Sequence, residues 1–506
     1  MAYFYLGTDR EQLFLMPVCM RDWLEESHLA WFVIDAVAQL DTSALDERHP
    51  NDGPGRPAYD PQMMCALLLY AYMSGVRSSR RIEAACRTDA AFRVICGGMV
   101  PDHATIARFI CDQEQALEGL FVKGLRLCHA AGLIDLSVLA LDGTKIAADA
   151  ALDQNRSAEW IREQINKLMA QTVESEEAEA PAPDPLEGLE GLETIAQIST
   201  PGGRLTRLEA ALQAIEDEEK KVLDEAKAKA EAAFREAEAG RKLRGRKPKD
   251  PAAALARAKA DYAACLNRAK ARHAQRCSDP EQDPAVKEAQ AALAAAQQAA
   301  EAEPAKAPKA NITDPDSRIM KDRKGYLQGY NSQAIVNRHQ IVVACAVTQD
   351  ANDIEQYEPM LDELACNLKS ADIPREEIEL MLADAGYCSE ANLTAEGPER
   401  LIATLKDWKQ RRAARELGTT SGEPPADATP IKAMEHRLRT PEGATAYAQR
   451  SQLIEPVFGD RKENRGYRRF RRRGLDAVQS EWAFIHLAGN LLKLYRHEQA
   501  SSLAMA

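Results

Sequence analysis

The sequence predicts a mixed α/β layer fold, split after its first strand by a long helical insertion. Three observations predict it. The apolar runs LSVLALDGTK and IELMLADAGY stop abruptly at Asp142 and Asp384, as buried strands do where they leave a sheet. GYNSQAIVN and QIVVACAVTQ alternate or run apolar, as adjacent antiparallel strands would. From about 151 to 310 the composition turns to Ala, Glu, Lys and Gln with few aromatics, and then the globular pattern resumes.

Residues 1–130 read as helical. Pro61 opens a run with Met64, Leu67, Leu68, Tyr70 and Met73 at helical spacing, and Gly75 ends it. Ser78 or Ser79 caps SSRRIEAACRTDAAFRVI, GGMVPDH breaks the chain, and a third helical run follows. Short helices joined by tight turns are compatible both with a helix-turn-helix and with an ordinary bundle. The strand ending at Asp142 belongs to 131–150, and the rest of its sheet to 311–500. IEQYEPMLDELACNL is amphipathic, RLIATLK is a further strand candidate, and SEWAFIHLAGNLLKLYR is a closing helix. Thr440 and Pro441 start a helix through TPEGATAYAQRSQLIEPVFG as cap and first residue.

The insertion, 151–310, contains the acidic, Pro- and Gly-bearing EEAEAPAPDPLEGLEGLE, a loop by composition. Leu205, Leu208, Leu212, Ile215, Val222, Ala226 and Ala233 then follow an a/d heptad, with Glu219 and Lys229 as polar exceptions. Leu255, Ala258, Tyr262 and Cys265 form a second seam. The expected structure is a long coiled-coil hairpin with a first arm of roughly 50 Å. Its tip is the basic GRKLRGRKPKDP, with Arg244, Arg246 and Lys247.

The chain has 506 residues, 45% hydrophobic and 28% charged, enough for two or three domains with sizeable cores. No apolar run reaches the length that spans a bilayer, and the N-terminus lacks a secretory pattern. Its 11 cysteines include no C-x-x-C pair, which points to reduced thiols and a cytoplasmic setting rather than zinc or a disulfide framework. The net charge of −13 argues against a nucleic-acid partner only if charge is evenly spread, and it is not. Acid concentrates around Glu174–Glu193, and base in Arg77–Arg81, Arg241–Lys249 and Arg461–Arg473. Those basic stretches are where a phosphate backbone could dock.

Asp142, Asp384 and the helical Glu455 carry the chemistry the sequence allows. Rigid carboxylates at an open sheet end suit two divalent ions, which prefer oxygen ligands and leave room for water and phosphate. Lys462 lies seven residues beyond Glu455, about two helical turns, so the two share a face on which a lysine could grip a phosphate. Pro456 between them predicts a kink. Singly, a strand-end aspartate is more often a turn former, and an exposed helical glutamate is ordinary.

At these residues the chain resembles a DDE transposase of a bacterial insertion sequence. The strings that carry the resemblance are DGTK at Asp142, DPDSRIMKDRKGYLQGYNSQAIV, ADAGY at Asp384, and RPAYDPQMMCALLLYAYMSGVRSSRRIE. Tyr447, Arg450, Glu455 and Lys462 resemble the Y-R-E-K signature of one large group, with four rather than three residues between Arg450 and Glu455. The resemblance covers most of the chain outside 151–310. It implies an RNase H-like catalytic fold in which Asp142, Asp384 and Glu455 hold two Mg2+ ions, with Mn2+ able to substitute. It implies cleavage at the transposon end to free a 3′-OH, which then attacks target DNA without a covalent protein intermediate. Tyr387 and Ser389 are therefore not expected to be nucleophiles.

Tyr447, Arg450 and Lys462 are expected against DNA phosphates near the cut. Arg468, Arg469, Arg471 and Arg472, interleaved with Tyr467 and Phe470, are expected on a DNA surface. Arg244, Arg246 and Lys247 at the hairpin tip partly resemble a minor-groove AT-hook core. The helical 1–130 segment is expected to bind DNA and to dimerise on paired transposon ends. Competing expectations are an RNase H-like nuclease that does not join strands, a non-catalytic DNA-binding derivative, and a scaffold built on the hairpin.

Overall fold

The computed structural model describes residues 19–46, 58–176, 201–238, 251–273, 280–302, 308–322, 325–375, 378–405 and 418–505. They form two compact units. One contains the described residues up to Leu152 and from Asp316 on, and the other those between Asp153 and Pro315.

The first unit is organised by a six-stranded sheet. Its central strand, β1 (Val138–Ala147), holds Leu139, Ala140 and Leu141 fully buried, which explains the apolar run seen in the sequence. Numbered along the whole chain, its other strands are β4 (Arg318–Asp322), β5 (Gly325–Val336), β6 (Val342–Thr348), β7 (Leu380–Ala383) and β8 (Glu399–Ile402). On one side β1 pairs antiparallel with β5, from Ala140 opposite Val336 to Ala147 opposite Gly329. The far edge of β5 carries β4 and then β6, both antiparallel. On its other side β1 pairs parallel with β7, and β7 parallel with β8. The strands expected at GYNSQAIVN, QIVVACAVTQ, IELMLADAGY and RLIATLK are thus all present.

Helices precede and cover this sheet. Pro61–Met73 begins as expected with Pro61 in its first turn, and Asp60 caps it by accepting from the Gln62 N–H at 2.9 Å. The spacing predicts one apolar face, but every residue from Met64 to Met73 is buried. Leu29–Gln39, Ala90–Ile95 and the long closing helix Leu475–Met505 all pack around it, which makes it a core helix. The closing helix also packs on Glu114–Ala130 and on β6. The N-terminal helices and the sheet therefore share one continuous apolar core.

In the second unit the short antiparallel strands β2 (Asn155–Ser157) and β3 (Lys309–Asn311) pair where the chain leaves and returns. The helix Pro201–Glu238 packs against Ala158–Glu176 and Pro251–His273, and the latter against Pro284–Ala302. Leu208 and Ile215 are buried as the heptad predicts, in a small cluster with Ile161, Ile165 and Ala211. Val222 departs from the expected seam and is 58% exposed, two turns beyond the last buried residue of that cluster. The basic tip with Arg244, Arg246 and Lys247, and most of the acidic stretch, lie outside the described residues. Among the described residues no helix is long and apolar enough to cross a membrane.

Candidate active site

The parallel register of β1 and β7 ends with Leu141 opposite Ala383, so Asp142 and Asp384 stand side by side where the two strands part. β7 ends there, but β1 runs on, paired with β5, to Ala147, so Asp142 lies within its strand and does not end it as its apolar run predicts. The local chain holds both carboxylates. Asp142 Oδ1 accepts from the Gly143 N–H at 2.8 Å. Asp384 caps the 3-10 turn Ala385–Tyr387, its Oδ1 accepting from the Gly386 N–H at 2.7 Å.

The helix Pro441–Gly459 packs against β1 and β7 here. Thr440 caps it, accepting from the Gly443 N–H at 3.0 Å, with Pro441 in its first turn. Tyr447 donates its hydroxyl to the Ala383 carbonyl at 3.3 Å. Arg450 Nη1 donates to Asp142 Oδ2 at 2.9 Å, and its Nη2 stands 3.8 Å from Glu455 Oε1. Glu455 is therefore linked to Asp142 through a guanidinium, with its own side chain 63% exposed. The helix runs on past Pro456 to Gly459 and passes into a π-helical turn, Asp460–Asn464. From that turn Lys462 Nζ donates to the Lys145 carbonyl on β1 at 2.9 Å. Tyr447, Arg450, Glu455 and Lys462 are all brought to the end of the sheet that carries the two aspartates.

The electrostatics record crowding of negative charge. Burial pushes the Asp142 carboxyl up to about 6, Arg450 opposing the rise and Asp384 adding to it. Burial works against the Arg450 charge, but Asp142, Tyr447 and Asp384 together outweigh it and hold that guanidinium above its ordinary value. Burial lowers the Lys145 amine, resisted by Asp353, Asp384 and Asp142. Burial raises the phenols of Tyr447 and, strongly, Tyr387. Hard carboxylate oxygens side by side in a largely buried site suit a divalent cation. Among the described residues, no three His, Cys, Asp or Glu side chains already converge on one metal-holding point.

The neighbours assigned no catalytic part have structural ones. Tyr387 is fully buried and donates to Gln333 Oε1. Ser389 caps the short helix Glu390–Thr394 by accepting from the Asn392 N–H at 3.0 Å. Sequence reasoning missed Lys145, Gln333 and Asp353, which meet beside the aspartates. Lys145 lies three residues after Asp142 on the same strand, a proximity that could have singled it out.

The basic run beyond Lys462 divides. Arg468, Arg469 and Arg471 are exposed, Arg468 pairing with Glu463. The Arg472 side chain is turned inward against Glu114. Tyr467 and Phe470, expected to interleave as a nucleic-acid surface, are buried instead. Tyr467 donates its hydroxyl to the Tyr72 carbonyl at 2.5 Å, and Phe470 packs edge-on to Tyr330 and Trp482. Glu481 fixes the segment by accepting the Arg471 and Arg472 N–H groups at 2.9 and 3.1 Å.

No curated protein and no solved structure matches the chain. Two family models do. Residues 18–112 match a transposase domain (DUF772). Residues 425–495, which contain Tyr447, Arg450, Glu455, Lys462 and the basic run, match a transposase DDE domain. Together these matches support a DDE transposase, a class of phosphoryl-transfer enzyme that acts on DNA and generally uses divalent metal ions.

Proposed function

We propose that the protein cuts DNA at transposon ends and transfers the freed 3′-OH strand into target DNA. Asp142, Asp384 and Glu455 would hold two Mg2+ ions, or Mn2+ in their place. The observation that carries the reading is the placing of Asp142 beside Asp384 where the parallel pairing of β1 and β7 ends, joined to Glu455 through Arg450. The strand sequence supports an RNase H-like fold: an antiparallel β1–β5–β6 meander with β7 and β8 added parallel on the other side of β1. The Y-R-E-K reading rests on Tyr447, Arg450, Glu455 and Lys462 all reaching this edge.

Divalent ions held there would supply activation of the attacking oxygen and charge stabilisation of the leaving one. The protein's residues do the rest. Asp142, fixed within β1, and Asp384, fixed at the end of β7, each held by a backbone N–H group, set the spacing of the site. Arg450 offsets the charge of Asp142 and Glu455 in the free protein and is placed to meet a phosphate once cations take over that task. Lys462, held to β1, and Tyr447, against the end of β7, flank the same edge. Arg468, Arg469 and Arg471 extend a positive surface along the DNA. Arg472 we assign to holding the segment in place. The helices Ser79–Thr88 and His103–Asp112 present Arg80, Arg81, Arg87 and Arg108 to solvent, which supports DNA binding and assembly on paired ends by the N-terminal segment. A coiled-coil role for the insertion, with Arg244, Arg246 and Lys247 touching DNA or a partner copy, remains part of the same proposal.

Labelled transposon-end DNA incubated with Mg2+ tests this. Wild type should cut and join. Asp142→Asn, Asp384→Asn and Glu455→Gln should bind DNA and do neither. Full cleavage by any of the three would remove that residue from the metal site. Cutting without joining would favour a nuclease of the same fold.

A further inference from the structure

A fourth carboxylate stands among these groups. Asp353 lies in the loop between β6 and the helix Tyr357–Ser370. Its Oδ1 accepts from Asn331 Nδ2 at 2.7 Å and Gln333 Nε2 at 2.9 Å, both on β5, and lies 3.4 Å from Lys145 Nζ on β1. The carboxylate thus ties the loop to two strands at once, beside Asp142.

Two glycines make room for it. A Cβ on Gly143 would stand 2.7 Å from Asp353 Oδ1 and 2.4 Å from Gln333 Nε2. A Cβ on Gly386 would stand 3.1 Å from Asp353 Oδ2 and 2.8 Å from Asp384 Oδ1. Neither glycine has a positive φ, so close approach and not backbone conformation is what demands glycine there. One follows Asp142 directly, and the other lies two residues after Asp384 and donates its N–H to it. Asp353 is wedged between β1 beside Asp142 and the turn after Asp384, one oxygen on Lys145 and the β5 amides, the other facing the Gly386 side.

We propose that Asp353 is the positioning residue of this site, clamping β1, β5 and the turn after β7 so that Asp142 and Asp384 hold the separation a pair of divalent ions requires. This rests on the metal-dependent reading above. Positioning groups one shell out from metal ligands typically change metal affinity ten- to a hundred-fold when removed. Asp353→Asn keeps the shape and removes the charge that holds Lys145. Lys145→Met removes the other half of the pair.

The test is Mn2+ binding by the full-length protein without DNA, followed by calorimetry, beside thermal unfolding and single-turnover cleavage. Asp353→Asn should weaken Mn2+ binding about ten-fold or more, with the melting temperature little changed. The double variant with Lys145→Met should bind no more weakly than Asp353→Asn alone, because the two residues act as one unit. Gly386→Ala, which presses on both carboxylates, should show the same weakening and keeps the test open if Asp353→Asn fails to fold. Wild-type Mn2+ affinity and cleavage in Asp353→Asn would overturn this proposal alone. Absence of Mn2+ binding by wild type would overturn it together with the metal-dependent reading.

Discussion

Substituting Asp142 by Asn should stabilise the metal-free protein while abolishing its chemistry. Burial raises this carboxyl from 3.8 to about 6, so charging it costs more in the folded chain than in the unfolded one. Between those two values the folded state binds the extra proton, and stability falls as pH rises through the window. At about 1.4 kcal/mol for each pH unit, the full penalty above pH 6 is about 3 kcal/mol. The side chain is 21% exposed, and solvent screening brings the expected gain to about 1–3 kcal/mol. Urea unfolding with chelator present, followed by tryptophan fluorescence to which Trp482 contributes, measures it. That indole donates to the Gln333 carbonyl at 3.0 Å and so reports on this part of the core. Asp142→Asn should be more stable than wild type at pH 8, and the advantage should vanish as pH falls toward 4. Equal or lower stability at pH 8 would mean that the Arg450 pair outweighs burial, and would refute the reasoning.

Two further substitutions test the frame around the site. Arg77→Ala removes donors to the Gly466 and Arg469 carbonyls, both at 2.8 Å, and the partner of the buried Glu481 carboxylate at 3.5 Å. Glu481 keeps the Arg471 and Arg472 N–H donors but loses its cation partner, which should cost about 1.5–3 kcal/mol, and the basic run it holds should lose DNA affinity, both measurable by denaturation and by filter binding. Lys493→Met should raise stability at pH 7 by about 1–3 kcal/mol. Burial, with Arg461 adding, lowers the Lys493 amine from 10.5 to about 8, so wild-type stability should climb between pH 8 and 10.5. A denaturation series across that range should find the climb absent in Lys493→Met.

Asp384 is legible because an apolar run that stops at a charge traces a strand leaving a buried sheet; at Asp142 the run marks only where β1 parts from β7, since β1 continues beside β5 to Ala147. Tyr447, Arg450 and Lys462 were legible as a set, but the bridging of Asp142 and Glu455 by Arg450 is a three-dimensional fact that spacing along a helix does not carry. Tyr467 and Phe470 misled for a physical reason. Alternation with arginine looks the same whether the aromatic side chains face a nucleic acid or, as here, turn into the core while the backbone is held by Glu481. The helix Pro61–Met73 was found, but burial on every side depends on which helices surround it. Asp353 was invisible in TQDANDIEQ, one of several loop acids, because only Asn331, Gln333 and Lys145 arriving from other strands set it apart. Gly143 and Gly386 are its trace in the sequence, readable only once a neighbour is known.

The central claim is that Asp142, Asp384 and Glu455 place metal ions on the scissile phosphate. Replacing the leaving 3′-oxygen of the transposon end by sulfur tests it most directly, because Mg2+ binds sulfur poorly and softer Mn2+ binds it well. Wild-type protein should cut the sulfur-bearing strand at least ten-fold more slowly than the oxygen strand in Mg2+, recover most of that loss in Mn2+, and show no cutting of either strand after Asp384→Asn. Equal rates on both strands in Mg2+, with cutting retained in Asp384→Asn, would contradict the account.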